Sequence, residues 1–197
     1  MSIGIVGAGS VGSAIAAVLA RAGIEATIVN RRGPSALGPL AASLAPHIRV
    51  APRDEVLASD IVFVAVPWGR LGDALGGVAD WGGRIVVDAN NPLDNFRSVD
   101  LGGLSSSEAF ALFVPGARVV KAYNHLLPHI LAGNQAAEGG RRVLFYAGDD
   151  AGAKAGVADI ISRTGFYGVD LGNLREGGRL LSYPGGPLPA HNFVVFD

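Results

Sequence analysis

The chain contains no cysteine among its 197 residues, which excludes disulfides, thiolate catalysis and any cysteine-ligated zinc or iron–sulfur centre. That absence fits a cytoplasmic protein. Charge is scarce too: Asp, Glu, Lys and Arg make up 17% of the sequence, and 16 basic against 17 acidic side chains leave a formal net charge of −1. No overall basic field exists to hold nucleic acid or an anionic membrane, so neither is expected as a partner. Any anion must be bound by a local site. Low charge with 49% hydrophobic residues excludes a disordered chain. Residues 1–20 carry no charged side chain, yet they lack a basic leader and are interrupted by Gly4, Gly7, Gly9 and Gly12. They read as a turn between elements, not as a targeting or membrane segment. Glycine is what the chain has in excess: 29 residues, about twice the usual share, without the period of collagen.

Strand and helix patterns alternate. Ser2–Val6, Ile24–Asn30, Ile48–Ala51, Asp60–Val66, Arg84–Asp88, Arg118–Tyr123 and Arg142–Ala147 read as strands, several of them continuous β-branched runs of the kind buried on both faces. Helices are expected at Ser10–Ala22, Pro34–Leu44, Trp68–Ala79, Ser107–Phe113 and Ala151–Arg163. Gly23 is placed to end the first, Ser105 with Glu108 has capping-box spacing, and Asp149 or Asp150 is placed to cap the last. This order predicts an α/β, Rossmann-type doubly wound and mainly parallel sheet with helices on both faces. One domain over 1–197 is expected, with a short C-terminal extension from about residue 165 and an irregular loop at Tyr183–Pro189.

Gly7-Ala8-Gly9-Ser10-Val11-Gly12 fits G-x-G-x-x-G between a strand and a helix, inside a βαβ unit. There Gly7 serves the tight turn, Gly9 admits a pyrophosphate to the backbone, and Gly12 lets helix and strand pack closely. The helix N-terminus offers free N–H groups and partial positive charge. Sites for NAD place a carboxylate at the end of the second strand, whereas this chain has Asn30, Arg31 and Arg32. Two guanidiniums suit a 2′-phosphate, which favours NADP(H) as cofactor over a merely solvated basic turn.

The ends of the later strands should face the nicotinamide. They read Val66-Pro67-Trp68, Asn90-Asn91-Pro92 and Tyr123-Asn124-His125-Leu126, rich in small, amide and aromatic groups. Asn90 or Asn91 is a candidate for the carboxamide and Trp68 for a cleft wall. Ordinary loop capping by Asn and Pro explains any one of these residues about as well. His125 and His129 have metal-pair spacing, but Pro128 intervenes and no third ligand is near, so no metal is expected. Lys121 with Asn124 resembles a lysine–asparagine pair of hydroxy-acid dehydrogenases, yet Lys121 lies on an expected strand.

Taken together, the first strand with Gly7–Gly12, Asn30-Arg31-Arg32, Asp60–Trp68, Asn91-Pro92-Leu93, Val119–Leu127 and Gly148-Asp149-Asp150 resemble the NADPH-dependent deazaflavin-coenzyme reductases, short NADP oxidoreductases acting on 8-hydroxy-5-deazaflavin. The same module resembles the cytoplasmic half of membrane ferric reductases that use NADPH and a flavin. The deazaflavin-reductase resemblance implies NADP on Gly7–Gly12, Arg31, Arg32, Val66, Pro67 and Trp68. It also implies a flavin-like ring (deazaflavin, FMN or FAD) near Asn91-Pro92 and Tyr123–Leu127. The expected reaction is hydride transfer, with Tyr123 and His125 as candidate hydrogen-bond donors to the ring. The chain departs from the family in ending soon after Asn192 without a long helical tail, and in carrying Asn124-His125 in the ring segment. A small imine or carbonyl substrate, or a non-catalytic NADPH-binding role, is the alternative. The apolar Phe193–Phe196 suggests a homodimer.

Overall fold

The structure is a computed structural model that describes residues 1–94, 97–137 and 139–196. In chain order the first half runs β1 (Ile3–Val6), α1 (Ser10–Arg21), β2 (Ala26–Val29), α2 (Gly38–Ser43), β3 (Ile48–Val50), α3 (Arg53–Leu57), β4 (Ile61–Val64), α4 (Leu71–Leu75) and β5 (Ile85–Asp88). The second half runs β6 (Leu93–Asp94), β7 (Arg97–Ser98), α5 (Ser106–Ala111), β8 (Arg118–Ala122), α6 (Pro128–Leu131), β9 (Ala136–Ala137), β10 (Gly140–Gly148), α7 (Ala151–Arg163), β11 (Tyr167–Asp170), α8 (Glu176–Leu181) and β12 (Val194–Val195). Short 3₁₀ turns at Pro34–Ala36 and Trp68–Arg70 precede α2 and α4.

The main sheet has the order β3-β2-β1-β4-β5-β8-β10-β11, and its six strands from β3 to β8 are parallel. This is the doubly wound order, with the chain reversing its direction of travel between β1 and β4. Side chains alternate across it. Ile61 and Phe63 of β4, like Ile85 and Val87 of β5, face a core shared with Ile15 and Leu19 of α1 and Val157 and Ile161 of α7. Val62, Val64 and Val86 point the other way, onto Val56 of α3, Leu71 and Leu75 of α4 and Phe110 of α5. A strand buried on both faces favours apolar residues on both, which is why these segments read as nearly unbroken runs, β5 ending in the buried Asp88.

Three features differ from the sequence expectation. β10 runs antiparallel to β8, pairing Tyr146 with Ala122 and Gly148 with Val120. A parallel return needs a crossover helix, and among the described residues the one helix between the two strands is the four-residue α6. Second, the expected helices over 34–44 and 68–79 are shortened: Gly38-Pro39 starts a new helix after a 3₁₀ turn, and Gly76-Gly77 follows the end of α4. Third, the segment beyond residue 165 is woven into the sheet rather than appended to it. β11 pairs parallel with β10, and β12 pairs antiparallel with its opening residues. Elsewhere the local signals hold: Gly23 adopts φ +68 after α1, Ser105 and Glu108 form a capping box on α5, and Asp150 caps α7. No helix among the described residues is long and apolar enough to cross a membrane.

Candidate functional site

Because β1, β2, β4, β5 and β8 are parallel, their C-terminal ends share one edge of the sheet. A cavity of about 530 Å³ opens there, lined by Gly7–Gly9 after β1, Asn30–Arg32 after β2 and Ala65–Pro67 after β4. Gly7 has φ +103, and a Cβ on it would collide with the Ala65 carbonyl and reach 3.0 Å from the Val66 Cγ1. Only glycine fits so tight a turn against a neighbouring strand end. Gly12 is equally confined, since its Cβ would strike the Gly7 carbonyl oxygen. Gly9 differs: a Cβ there would meet nothing within 4 Å, and the residue lines the cavity as the N-cap of α1. The first turn of α1 holds no acidic residue, so its positive end is uncompensated.

The second strand ends in an unsatisfied group. Both polar atoms of the Asn30 side chain are buried without a hydrogen-bond partner, although Asn30 lines the cavity. Leaving such an amide unpaired costs on the order of 1–3 kcal/mol, so its state suits a site completed by a ligand's hydroxyls. Arg31 and Arg32 beside it are exposed. Two further guanidiniums, which the sequence reading did not single out, share the cavity. Arg53 opens α3 and donates from Nε to the Ala74 carbonyl at 3.1 Å and from its Nη2 to that of Gly76. Arg70 reaches Asp73 at 3.2 Å. Four guanidiniums against the single carboxylate of Asp73 give the cavity a positive field in a nearly neutral chain. Arg53 follows β3, the neighbour of β2, and that pairing was the only signal that could have brought it forward.

Behind the cavity wall lies a buried polar network. Asp88, the last residue of β5, pairs with Lys121 in register on β8; both are 0% exposed and the Nζ–Oδ2 distance is 3.0 Å. Burial pulls the Lys121 ammonium below its ordinary pKa, and the Asp88 charge opposes that shift. The Ser107 hydroxyl donates to the same carboxylate oxygen at 2.9 Å, while the Asn90 backbone and side-chain amides donate to the other at 3.0 and 2.9 Å. Lys121 also donates to the Asn90 carbonyl, and the Asn90 Oδ1 accepts from the Val66 N–H at 2.9 Å.

Of the residues singled out from sequence, Gly7, Ala8, Gly9, Asn30, Arg31, Arg32, Val66 and Pro67 come together on the cavity wall. Ser10, Val11 and Gly12 form the first turn of α1 behind them. The remainder are placed differently. Trp68 is 7% exposed and packs in the core with Val64 and Leu71, because the 3₁₀ turn at 68–70 turns its ring inward. Asn90 is 3% exposed, engages Asp88 and Val66 through its amide, and does not line the cavity. Asn91 exchanges hydrogen bonds with Asn124, whose Nδ2 also reaches the Leu181 carbonyl. Pro92 is buried, as is Leu126.

The two candidate donors are interior as well. Tyr123 sits edge-on to Phe63 at 5.3 Å in the core, and burial pushes its phenol above its usual range. His125 is 1% exposed against Phe145, and burial lowers its pKa to about 4, an effect only partly offset by the backbone of Val143. Neither lines the cavity. No group of three potential metal ligands is assembled among the described residues.

A family model for NADP oxidoreductases dependent on coenzyme F420 matches residues 2–92. A hypothetical protein of Sinorhizobium meliloti is 40% identical, with a TM-score of 0.93 over 99% of this chain and 96% of that one. A protein of Arthrobacter sp. FB24 assigned as an F420-dependent NADP reductase is 29% identical, with a TM-score of 0.73 over 88% and 86% of the two chains. The NADPH complex of a reductive aminase from Aspergillus terreus shares the fold at 19% identity and a TM-score of 0.65. The match covers 90% of this chain but 56% of that protein.

Proposed function

We propose that this chain, which matches the model for coenzyme F420-dependent NADP oxidoreductases over residues 2–92, passes hydride between NADP(H) and a deazaflavin or flavin-type ring. The observation that carries the reading is the cavity itself. Its phosphate turn is open only at Gly9, its second strand ends in an unpartnered amide, and the neighbouring side chains are guanidiniums.

Each wall then has a task. Gly7–Gly12 and the end of α1 take the pyrophosphate. Asn30 supplies hydrogen bonds to ribose hydroxyls, and Arg31 and Arg32 pair with the 2′-phosphate. Val66 and Pro67 close the opposite side. When bound, the nicotinamide and the acceptor ring supply the redox chemistry, and the protein binds, orients and excludes water. Coenzyme F420 is the 8-hydroxy-5-deazaflavin coenzyme, and the segment assigned to its ring is mostly interior. Its outward parts are Asn91 and the exposed Leu127, with Tyr183 held beside Asn91 by an N–H donated to the Asn91 Oδ1.

The character of the cavity favours a ring acceptor over a small imine or carbonyl. In reduction of a C=N or C=O bond the carbon takes the hydride and the nitrogen or oxygen takes a proton, so a donor is needed beside that heteroatom. Tyr123, His125 and Lys121 are all buried, and among the described residues the only titratable side chain on the cavity wall apart from arginines is Asp73. The test is stopped-flow oxidation of bound NADPH by a panel of deazaflavin, FMN, FAD and small cyclic imines. Turnover with a ring acceptor and none with imines is expected. Tight NADPH binding without oxidation by any acceptor would contradict the reading and favour a non-catalytic nucleotide-binding role.

A further inference from the structure

A fully buried lysine–aspartate pair is a costly way to hold two strands together. Removing both charges from water is seldom repaid by their attraction, and apolar replacements of such pairs are often at least as stable. The Asp88–Lys121 pair therefore calls for a reason beyond stability, and its connections supply one. Asp88 accepts four hydrogen bonds, two of them from Asn90, and Lys121 grips the Asn90 carbonyl. So held, Asn90 offers its Oδ1 to the N–H of Val66, just past the end of β4. Val66 and Ala65 are in turn the surface on which Gly7 rests, with no room for even a Cβ between them. A continuous line of contacts runs from β8 through β5 and β4 to the phosphate turn.

We propose that Asn90, clamped by Asp88 and Lys121, is a positioning residue for dinucleotide binding, setting the Val66–Gly7 corner against which the phosphate turn is built. This rests on the nucleotide site described above and goes beyond it, since none of the three side chains lines the cavity. The corner lies under the part common to both nicotinamide dinucleotides. Its loss should weaken NADPH and NADH alike, unlike the loss of Arg31 and Arg32.

Two variants test it. Asn90→Ser shortens the side chain so that it no longer reaches Val66. The paired change Asp88→Asn with Lys121→Met removes both charges while keeping shape, which guards against a variant that merely fails to fold. For each, the dissociation constants of NADPH and NADH are measured by calorimetry, alongside the melting temperature of the nucleotide-free protein. The expected result is a loss of roughly five- to tenfold for both nucleotides, the equivalent of one hydrogen bond's net contribution. The melting temperature of the paired variant should stay within a few degrees of the parent's. Unchanged affinities would overturn the proposal, as would a loss confined to NADPH, or a lowered melting temperature with normal binding by the folded protein. A parent protein that binds neither nucleotide would overturn the reading of the cavity itself, and this inference with it.

Discussion

At the scale of single residues, the chemistry legible in the sequence was the chemistry carried by backbone shape and charge. Gly7, Gly9 and Gly12 could be assigned separate tasks from spacing alone, and their surroundings separate them in the same way: two glycines pressed against carbonyls, one facing open space. The aromatic and imidazole candidates were misleading for an equally physical reason. Tyr123 and His125 follow a buried strand, and a short connection to α6 keeps them inside, so proximity in sequence to a strand end did not mean exposure. His125 has a consequence of its own. Its folded-state pKa of about 4 lies below the ordinary 6.5, so the unfolded chain takes up the proton first. The associated stability is complete above about pH 6.5 and is lost as pH falls toward 4, at about 1.4 kcal/mol per unit. Urea unfolding at pH 7 and pH 5 should therefore show the parent losing about 2 kcal/mol more than a His125→Phe variant. Equal losses in the two proteins would mean that His125 is not held neutral.

At the scale of elements, strands buried on both faces were easy to read and half-exposed ones were not. β4 is a continuous apolar run and β5 is one up to its final Asp88, whereas β11 (Tyr-Gly-Val-Asp) is largely exposed at the sheet's edge and carries no such signal. The reversal at β10 was hidden for a different reason: strand direction depends on the connection, and nothing in the strand's own residues encodes it. Helix ends were better marked. The capping box on α5 follows from Ser105 and Glu108, and the Ser105 hydroxyl also donates to the Leu174 carbonyl at 3.0 Å, tying α5 to the chain just before α8. Replacing Ser105 with Ala should lower stability by about 1–2 kcal/mol. Nucleotide affinity should change little, because neither Ser105 nor its partner Leu174 lines the cavity, and Asp88 takes its α5 hydrogen bond from Ser107. Chemical denaturation with a parallel NADPH titration checks both halves; an affinity loss would show that the cap at Ser105 acts on the site through Ser107 and Asp88.

At the scale of the whole molecule, function is concentrated by contrast. A chain with a net charge of −1 and few charges of any kind gathers four guanidiniums around one cavity at the sheet's carboxyl edge. Composition could only say that any anion site must be local; the doubly wound order decided where, by bringing the ends of β1, β2, β3 and β4 side by side. The arginines at 31 and 32 were readable because they stand where NAD sites keep a carboxylate. Arg53 and Arg70 were not, since only the sheet order brings the residues after β3 and β4 to the same wall.

The central claim, that this wall is built for NADP(H), is tested most directly by the dissociation constants of NADPH and NADH at two ionic strengths, for the parent and for the Arg31→Ala, Arg32→Ala double variant. A charge-assisted hydrogen bond contributes about 1.5–3 kcal/mol, so the double variant should bind NADPH at least about tenfold more weakly while NADH changes little. Added salt should weaken NADPH more than NADH in the parent, because the phosphate contact is partly exposed and screened. Equal losses for the two nucleotides in the double variant, with no difference in their salt response, would contradict the account and leave the two arginines a solvated turn.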